Sequence, residues 1–247
     1  MTPGLNMFDR GQHQNAIKSI ANGPRICCHN GLFFGFFTAL AMAMALAISG
    51  CSALPDKPVR PTLYDFGPGT VTVESATRLE PLPALALDDI TTSGGALDNT
   101  ALLYRLAYTE VQALRPYAHA RWSTPPAQLV RQRLREQLSL RRPVFNARDG
   151  VAINRSGGAV LPLRLRLELE EFSQLFTAPD ASVGVIRLRA TLVEVTPAGE
   201  KFIGQRSVVV QRPAPTADAA GGVRALTAAT DAAIEEIDQW LQQSAVR

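Results

Sequence analysis

Thiols, imidazoles and paired carboxylates are the groups in this sequence able to do chemistry, and they are few. The 247 residues hold three cysteines and three histidines. Cys27, Cys28, His13 and His29 fall within the first thirty, which leaves Cys51 and His119 for the remainder. A protein zinc site needs more ligands than one thiol and one imidazole, and with no thiol beyond Cys51 no Cys–His chemistry is expected either. There is no GxSxG elbow, no HExxH helix and no glycine-rich phosphate loop. His119 lies in Tyr117-Ala118-His119-Ala120-Arg121 with no motif around it. A Ser-His-Asp site would have to gather its other members from elsewhere in the fold, and a surface or packing role is the commoner one for a lone histidine. Asp88-Asp89 and Glu170-Glu171 are adjacent pairs, and neighbours on a strand point to opposite faces. They read as solvated strand ends rather than as an acid/base couple. The sequence therefore predicts no catalytic residue, no cofactor and no metal.

Cys51 differs because of what precedes it. Arg10, Lys18 and Arg25 form a basic lead, and from Gly31 to Ile48 there is no charge and only Thr38 is distinctly polar. That is the n-region and h-region of an export signal. It ends in Ile48-Ser49-Gly50-Cys51, an aliphatic and two small residues before a cysteine, which resembles the lipobox of lipoprotein precursors. Cleavage between Gly50 and Cys51 would leave Cys51 first in the chain, ready for acylation. The same apolar run is long enough to span a bilayer uncut. The small residues at the cut and the proline-bearing spacer after it favour cleavage. The lead before Gly31 is long for a signal, and Met7 is a second candidate start. One acyl chain binds a membrane marginally and several hold it firmly, so a triacylated Cys51 is a stable anchor facing the periplasm. Ser52 in place of an aspartate is similar to the pattern that sends enterobacterial lipoproteins to the outer membrane.

Losing Arg10, Lys18, Arg25 and Asp9 with the signal takes the formal charge from +3 to +1. A nearly neutral body gives no electrostatic ground for nucleic-acid binding. One remaining cysteine cannot form an internal disulfide. The expected organisation is a signal peptide over 1–50, a lipidated, proline-rich tether over 51–62 and one domain over 63–247.

Periodicity predicts the elements of that domain. Strands are expected at Leu63–Phe66, Leu82–Ile90 and Ala101–Ala107, separated by Gly67-Pro68-Gly69 and Gly94-Gly95. Thr124-Pro125-Pro126 reads as a helix start with Thr124 as N-cap. Ala127, Val130, Leu134 and Leu138 make its apolar stripe, and Gln128, Arg131, Gln132 and Arg135 fall on the other side, an arginine-rich face for which solvation is commoner than contact with lipid headgroups or an acidic partner. Leu163, Leu165, Leu167 and Leu169 alternate with charges, as do Ile186, Leu188, Ala190 and Leu192 with polar positions. Antiparallel pairing would set Glu168 against Arg189 and Glu170 against Arg187. A third strand, Lys201–Gln211, completes a meander. Asp218–Gln242 is a long helix whose stripe of Val223, Leu226, Thr230, Ala233, Ile234, Ile237 and Leu241 should cover the sheet. The fold class is α+β, an antiparallel sheet packed by two main helices in two layers.

The ordered motifs Leu102-Leu103-Tyr104-Arg105, Leu114-Arg115-Pro116-Tyr117, Arg121-Trp122 and Pro125-Pro126-Ala127-Gln128-Leu129-Val130 resemble the ABC-type transport auxiliary lipoproteins, the family that includes the lipoprotein of the Pqi system. The resemblance extends to the lipobox, Tyr64, the strand-rich second half and the final helix. It implies a non-enzymatic outer-membrane component of an Mce-type system, in which an ABC permease and ATPase with a periplasmic Mce-domain protein move phospholipids or other hydrophobic molecules. The implied partners are that Mce protein and its ABC complex, the membrane through the lipid anchor, phospholipid, and further copies of the chain. Tyr104, Arg105, Tyr117 and Trp122 join broad apolar surfaces to polar tips, which suits either a partner interface or the packing of sheet against helix. Two other classes stay open: a structural envelope lipoprotein binding peptidoglycan or an assembly complex, and a lipid-modifying enzyme.

Overall fold

Residues 59–69, 81–147 and 161–245 are described by the computed structural model. Gly50, Cys51, most of the tether and the Gly31–Ile48 run lie outside them. In chain order the elements are β1 (Thr62–Tyr64), β2 (Leu85–Leu87), β3 (Thr91–Thr92), β4 (Ala101–Leu106), β5 (Glu110–Trp122), α1 (Pro126–Ser139), β6 (Val144–Asn146), β7 (Leu163–Ala178), β8 (Ala181–Thr196), β9 (Gly199–Pro213) and α2 (Ala219–Ala245). No helix among the described residues is long and apolar enough to cross a membrane.

The leucine alternation makes β7 the spine of the sheet. Its leucines at 165, 167 and 169 are buried, and so are Ile186, Leu188, Ala190 and Leu192 opposite them on β8. β8 runs antiparallel along the length of β7 and β9 along β8, which gives the expected meander. The other edge of β7 takes three short strands in succession, β2 at Leu163–Leu165, β3 at Glu168–Leu169 and β4 at Gln174–Phe176, all parallel to it. β6 adds to β2 and β1 to β5, also in parallel. The α+β class holds, but the sheet is mixed and not wholly antiparallel. The chain from Leu85 to Leu106 advances along one edge of β7 without reversing, so its strands cannot pair as hairpins. Pro83 and its neighbours stay outside β2, which is shorter than the apolar run that predicts it.

Glu168 lies opposite Arg189 as the alternation predicts. Glu170 does not face Arg187. A bulge between Leu169 and Glu171 slips the register by one residue, so Glu171 faces Arg187 and Arg189 contacts both Glu168 and Glu170. The adjacent carboxylates are therefore ion-paired. Glu171 meets Arg105, and Asp88 meets Arg166 at 2.9 Å. Arg166 also reaches Glu200 at 2.6 Å, and this bond is the main cause holding the Glu200 carboxyl below its usual range.

Both helices lie on the buried face of the sheet in a single core. Every residue of the two predicted stripes is buried, including Thr230, whose hydroxyl donates to the Leu226 carbonyl. The N-cap of α1 is Pro125, without a side-chain cap bond, and not Thr124; its carbonyl accepts from Gln128 N at 2.9 Å. Pro126 opens the first turn, where a missing N–H costs nothing. The two helices are joined by arginines. Arg133 donates Nε and Nη2 to Asp231 at 2.7 and 3.1 Å, and Arg142, just past α1, donates to Asp238 at 2.7 Å. Both guanidinium groups are buried, and the bond to Asp231 raises the Arg133 pKa. Asp231→Ala would leave the buried Arg133 charge with Glu136, 3.9 Å away, as its one ion-pair partner among the described residues. Breaking a fully buried pair costs about 3–5 kcal/mol. Asp231 is 38% exposed, so a loss of about 2 kcal/mol is expected in urea denaturation, with Asp231→Asn losing less.

Candidate functional site

β5 went unforeseen, and it carries most of the residues singled out above. Its alternation is broken because it is bulged twice. Ala101 faces Arg121 while Leu103 faces Pro116, and Tyr104 faces Arg115 while Leu106 faces Glu110. On each occasion β5 spends more residues than β4, which strips backbone groups of ladder partners. Two arginines supply replacements. Arg105 donates to the carbonyls of Val111 and Gln112 at 3.2 and 3.1 Å while its Nε and Nη2 hold both oxygens of Glu171 at 3.1 Å. Arg121 donates to the carbonyls of Ala120, at 2.8 Å, and Tyr117. The first clamp ties the end of the β4–β5 hairpin to β7. The tip then presents Tyr108 and Val111, 45% and 42% exposed.

The four predicted residues part company here. Tyr104 and Tyr117 pack with their rings tilted, 4.8 Å between centroids, and Phe176 lies edge-on 5.9 Å from Tyr104. The Tyr117 hydroxyl donates to Gln174 Oε1 at 2.9 Å, and Gln174 Nε2 donates to Ser182 Oγ at 2.8 Å. Burial, ahead of Tyr104 and Asp218, pushes the Tyr117 phenol well above its ordinary value. Arg105 is not part of this group: it follows Tyr104 on β4, and its bonds go to Glu171 and the hairpin carbonyls. Nor is Trp122. It is 1% exposed and packs against Phe66 and Phe172 at 5.7 and 5.5 Å, so its place is in the core and not at an interface. His119 is exposed on β5. Among the described residues no group of three or more His, Cys, Asp or Glu side chains is placed to hold a metal.

The Tyr117–Gln174 bond makes a prediction. An unfolded phenol ionises near pH 10 and the buried one resists, so its contribution is complete below about pH 10 and is lost as pH rises toward the folded value. Tyr117→Phe should cost about 1 kcal/mol at neutral pH by leaving Gln174 without its donor. Its stability should then fall less steeply than that of the parent above pH 10, as read by circular dichroism in urea.

A second feature is a groove of about 850 Å³ between the first half of α1 and residues 89–98, lined by Ile90, Leu97, Ala127, Gln128, Arg131 and Arg135 among others. The outer face of α1 is thus not simply solvated. Arg131 donates to the Asp88 carbonyl at 3.3 Å and Arg135 to the Val144 carbonyl at 3.2 Å, which pins α1 to the strands beside it.

Comparison with known proteins agrees with this architecture. Residues 64–238 match the sequence model of the ABC-type transport auxiliary lipoprotein component. The chain belongs to that family. Protein XCC0632 from Xanthomonas campestris has a similar fold in its crystal structure, with 16% identity, 74% of this chain and 96% of that one covered, and a TM-score of 0.57. A second crystal structure, of an uncharacterized protein, gives 12% identity, coverages of 74% and 99%, and a TM-score of 0.50. No curated protein matches the chain closely enough in sequence to count as a relative.

Proposed function

We propose that the chain is a lipoprotein anchored through acylated Cys51 at the periplasmic face of the outer membrane. There it serves, without catalysis of its own, as the auxiliary component of an Mce-type ABC system that moves phospholipids or other hydrophobic molecules through the envelope. The observation that carries this reading is the family match over 64–238, which spans the domain from β1 into α2. Its partners are the periplasmic Mce-domain protein and the ABC permease and ATPase. The β4–β5 hairpin is the docking element, with Tyr108 and Val111 at its tip, Tyr104 and Tyr117 behind them and Arg105 holding the turn in place. Aromatic residues with polar ends are favoured at such contacts.

Two variants test the two halves of the proposal. Cys51→Ser should release the chain from the outer-membrane fraction, and retention there would refute the anchor. A photo-crosslinking residue at Tyr108 in the full-length chain should give an adduct containing an Mce-domain protein, and the same residue at the exposed Glu235 of α2 should give none. Adducts at Glu235 alone would move the docking face to the helices.

A further inference from the structure

Arg131 and Arg135 lie one turn apart on α1, and both donate to one atom, the Oδ1 of Asn146, at 2.9 and 2.6 Å. A neutral amide oxygen shared by two guanidinium groups supplies no charge of its own to offset their mutual repulsion. Asp89 lies 3.2 Å from Arg131, but its side chain is 83% exposed and the attraction is screened by water. Arg135 forms no ion pair with a described carboxylate; its second bond goes to the Val144 carbonyl. Across the groove, the Asp98 carboxylate accepts from the Thr92 hydroxyl. The groove thus gathers two guanidinium groups at one end, with the exposed Asp89 beside Arg131 and the buried Ile90, Leu97 and Ala127 beneath.

The chemistry of the pair selects the anion. Each guanidinium is a planar fork of donors, and the two approach from different positions on the helix. A planar carboxylate satisfies one fork, whereas a tetrahedral oxyanion offers separate oxygens to both. We infer that the groove binds a phosphate group across Arg131 and Arg135, carried on an ester whose remainder lies along the wall that Ile90 and Leu97 help to line. The choice of a lipid as that ester rests on the transport reading above. The groove rests on its own geometry, so a chain that docks its partner yet binds no phosphate refutes the groove alone.

The test is native mass spectrometry of the full-length chain in maltoside micelles, titrated with phosphatidylglycerol, with diacylglycerol and with inorganic phosphate. One phosphatidylglycerol per chain is expected, with no diacylglycerol bound. Arg135→Gln should weaken retention at least tenfold. Gln128→Trp, which fills the groove from an exposed position and leaves both arginines in place, should do the same. Arg187→Gln, on an exposed strand position away from the groove, should change nothing. Displacement of the lipid by millimolar inorganic phosphate would show that the phosphate alone supplies recognition, and resistance to it would show that the ester contributes. Absence of both ligands, or binding that is indifferent to Arg135→Gln and Gln128→Trp, overturns the inference.

Discussion

Trp122→Ala is expected to lower the unfolding free energy by about 4 kcal/mol, the largest loss anticipated for any single side chain here. The indole is 1% exposed and stands between Phe66, in the segment after β1, and Phe172 on β7. Its removal opens a cavity that three separate parts of the chain would have to close together. Its backbone also joins the sheet, since Tyr64 pairs with Trp122 and Trp122 N donates to the Thr100 carbonyl at 2.8 Å. Urea denaturation followed by far-ultraviolet circular dichroism measures the loss, and for a domain of this size the midpoint temperature should fall by roughly 10 °C. Trp122→Phe keeps most of the volume and should recover more than half of the difference. A loss below about 1 kcal/mol would mean that Trp122 is not packed as described.

Gly184→Ala is the second large effect. A Cβ at this position would lie 2.6 Å from both the Ala225 carbonyl carbon and the Leu226 nitrogen, both backbone atoms of α2. Backbone cannot rotate out of the way as a side-chain tip does, so the helix must lift from β8 or the strand must bend. Overpacking of this kind costs about 3 kcal/mol. The same seat needs Gly222, where a Cβ would lie 2.0 Å from Gln174 Oε1. A lifted α2 therefore also disturbs the Tyr117–Gln174–Ser182 chain. Amide hydrogen exchange should show faster exchange through the first half of α2 in Gly184→Ala, while the β7–β8 pairing away from the contact stays protected. Unchanged protection in α2 would place the helix elsewhere.

What the sequence made legible follows from how regularly each element packs. The meander could be read because β7 from Leu165 to Leu169 and β8 from Ile186 to Leu192 alternate between a buried and a wet face. Both helices could be read because their stripes recur at helical spacing. The parallel strands on the other edge of β7 could not be ordered, since three short segments of ordinary apolar character carry no sign of which strand they join. β5 was hidden by its bulges and by Pro116, which remove the period-two signal. Arg133 was missed for a different reason. An arginine on an amphipathic helix looks solvated unless its partner is known, and Asp231 lies 98 positions later. The candidate site was partly legible. The ordered motifs from Leu102 to Val130 single out Tyr104, Arg105 and Tyr117, and only the structure shows Tyr104 packed on Tyr117 with Arg105 turned to Glu171. The division between them and Trp122 depends on which face of a twice-bulged strand each residue occupies. The convergence of Arg131 and Arg135 required Asn146, on a strand that periodicity does not announce.

The central claim is that a lipid-anchored chain works as part of an ABC transport assembly. Affinity purification of the full-length protein from gently solubilised membranes, with mass spectrometry of the co-purifying proteins and of its own N-terminal peptide, tests both parts together. The account predicts an acylated Cys51 at the N-terminus and recovery of an Mce-domain protein with its permease. An acylated Cys51 with peptidoglycan-associated proteins and no Mce subunit or permease would contradict it, and would make the chain a structural lipoprotein of the envelope.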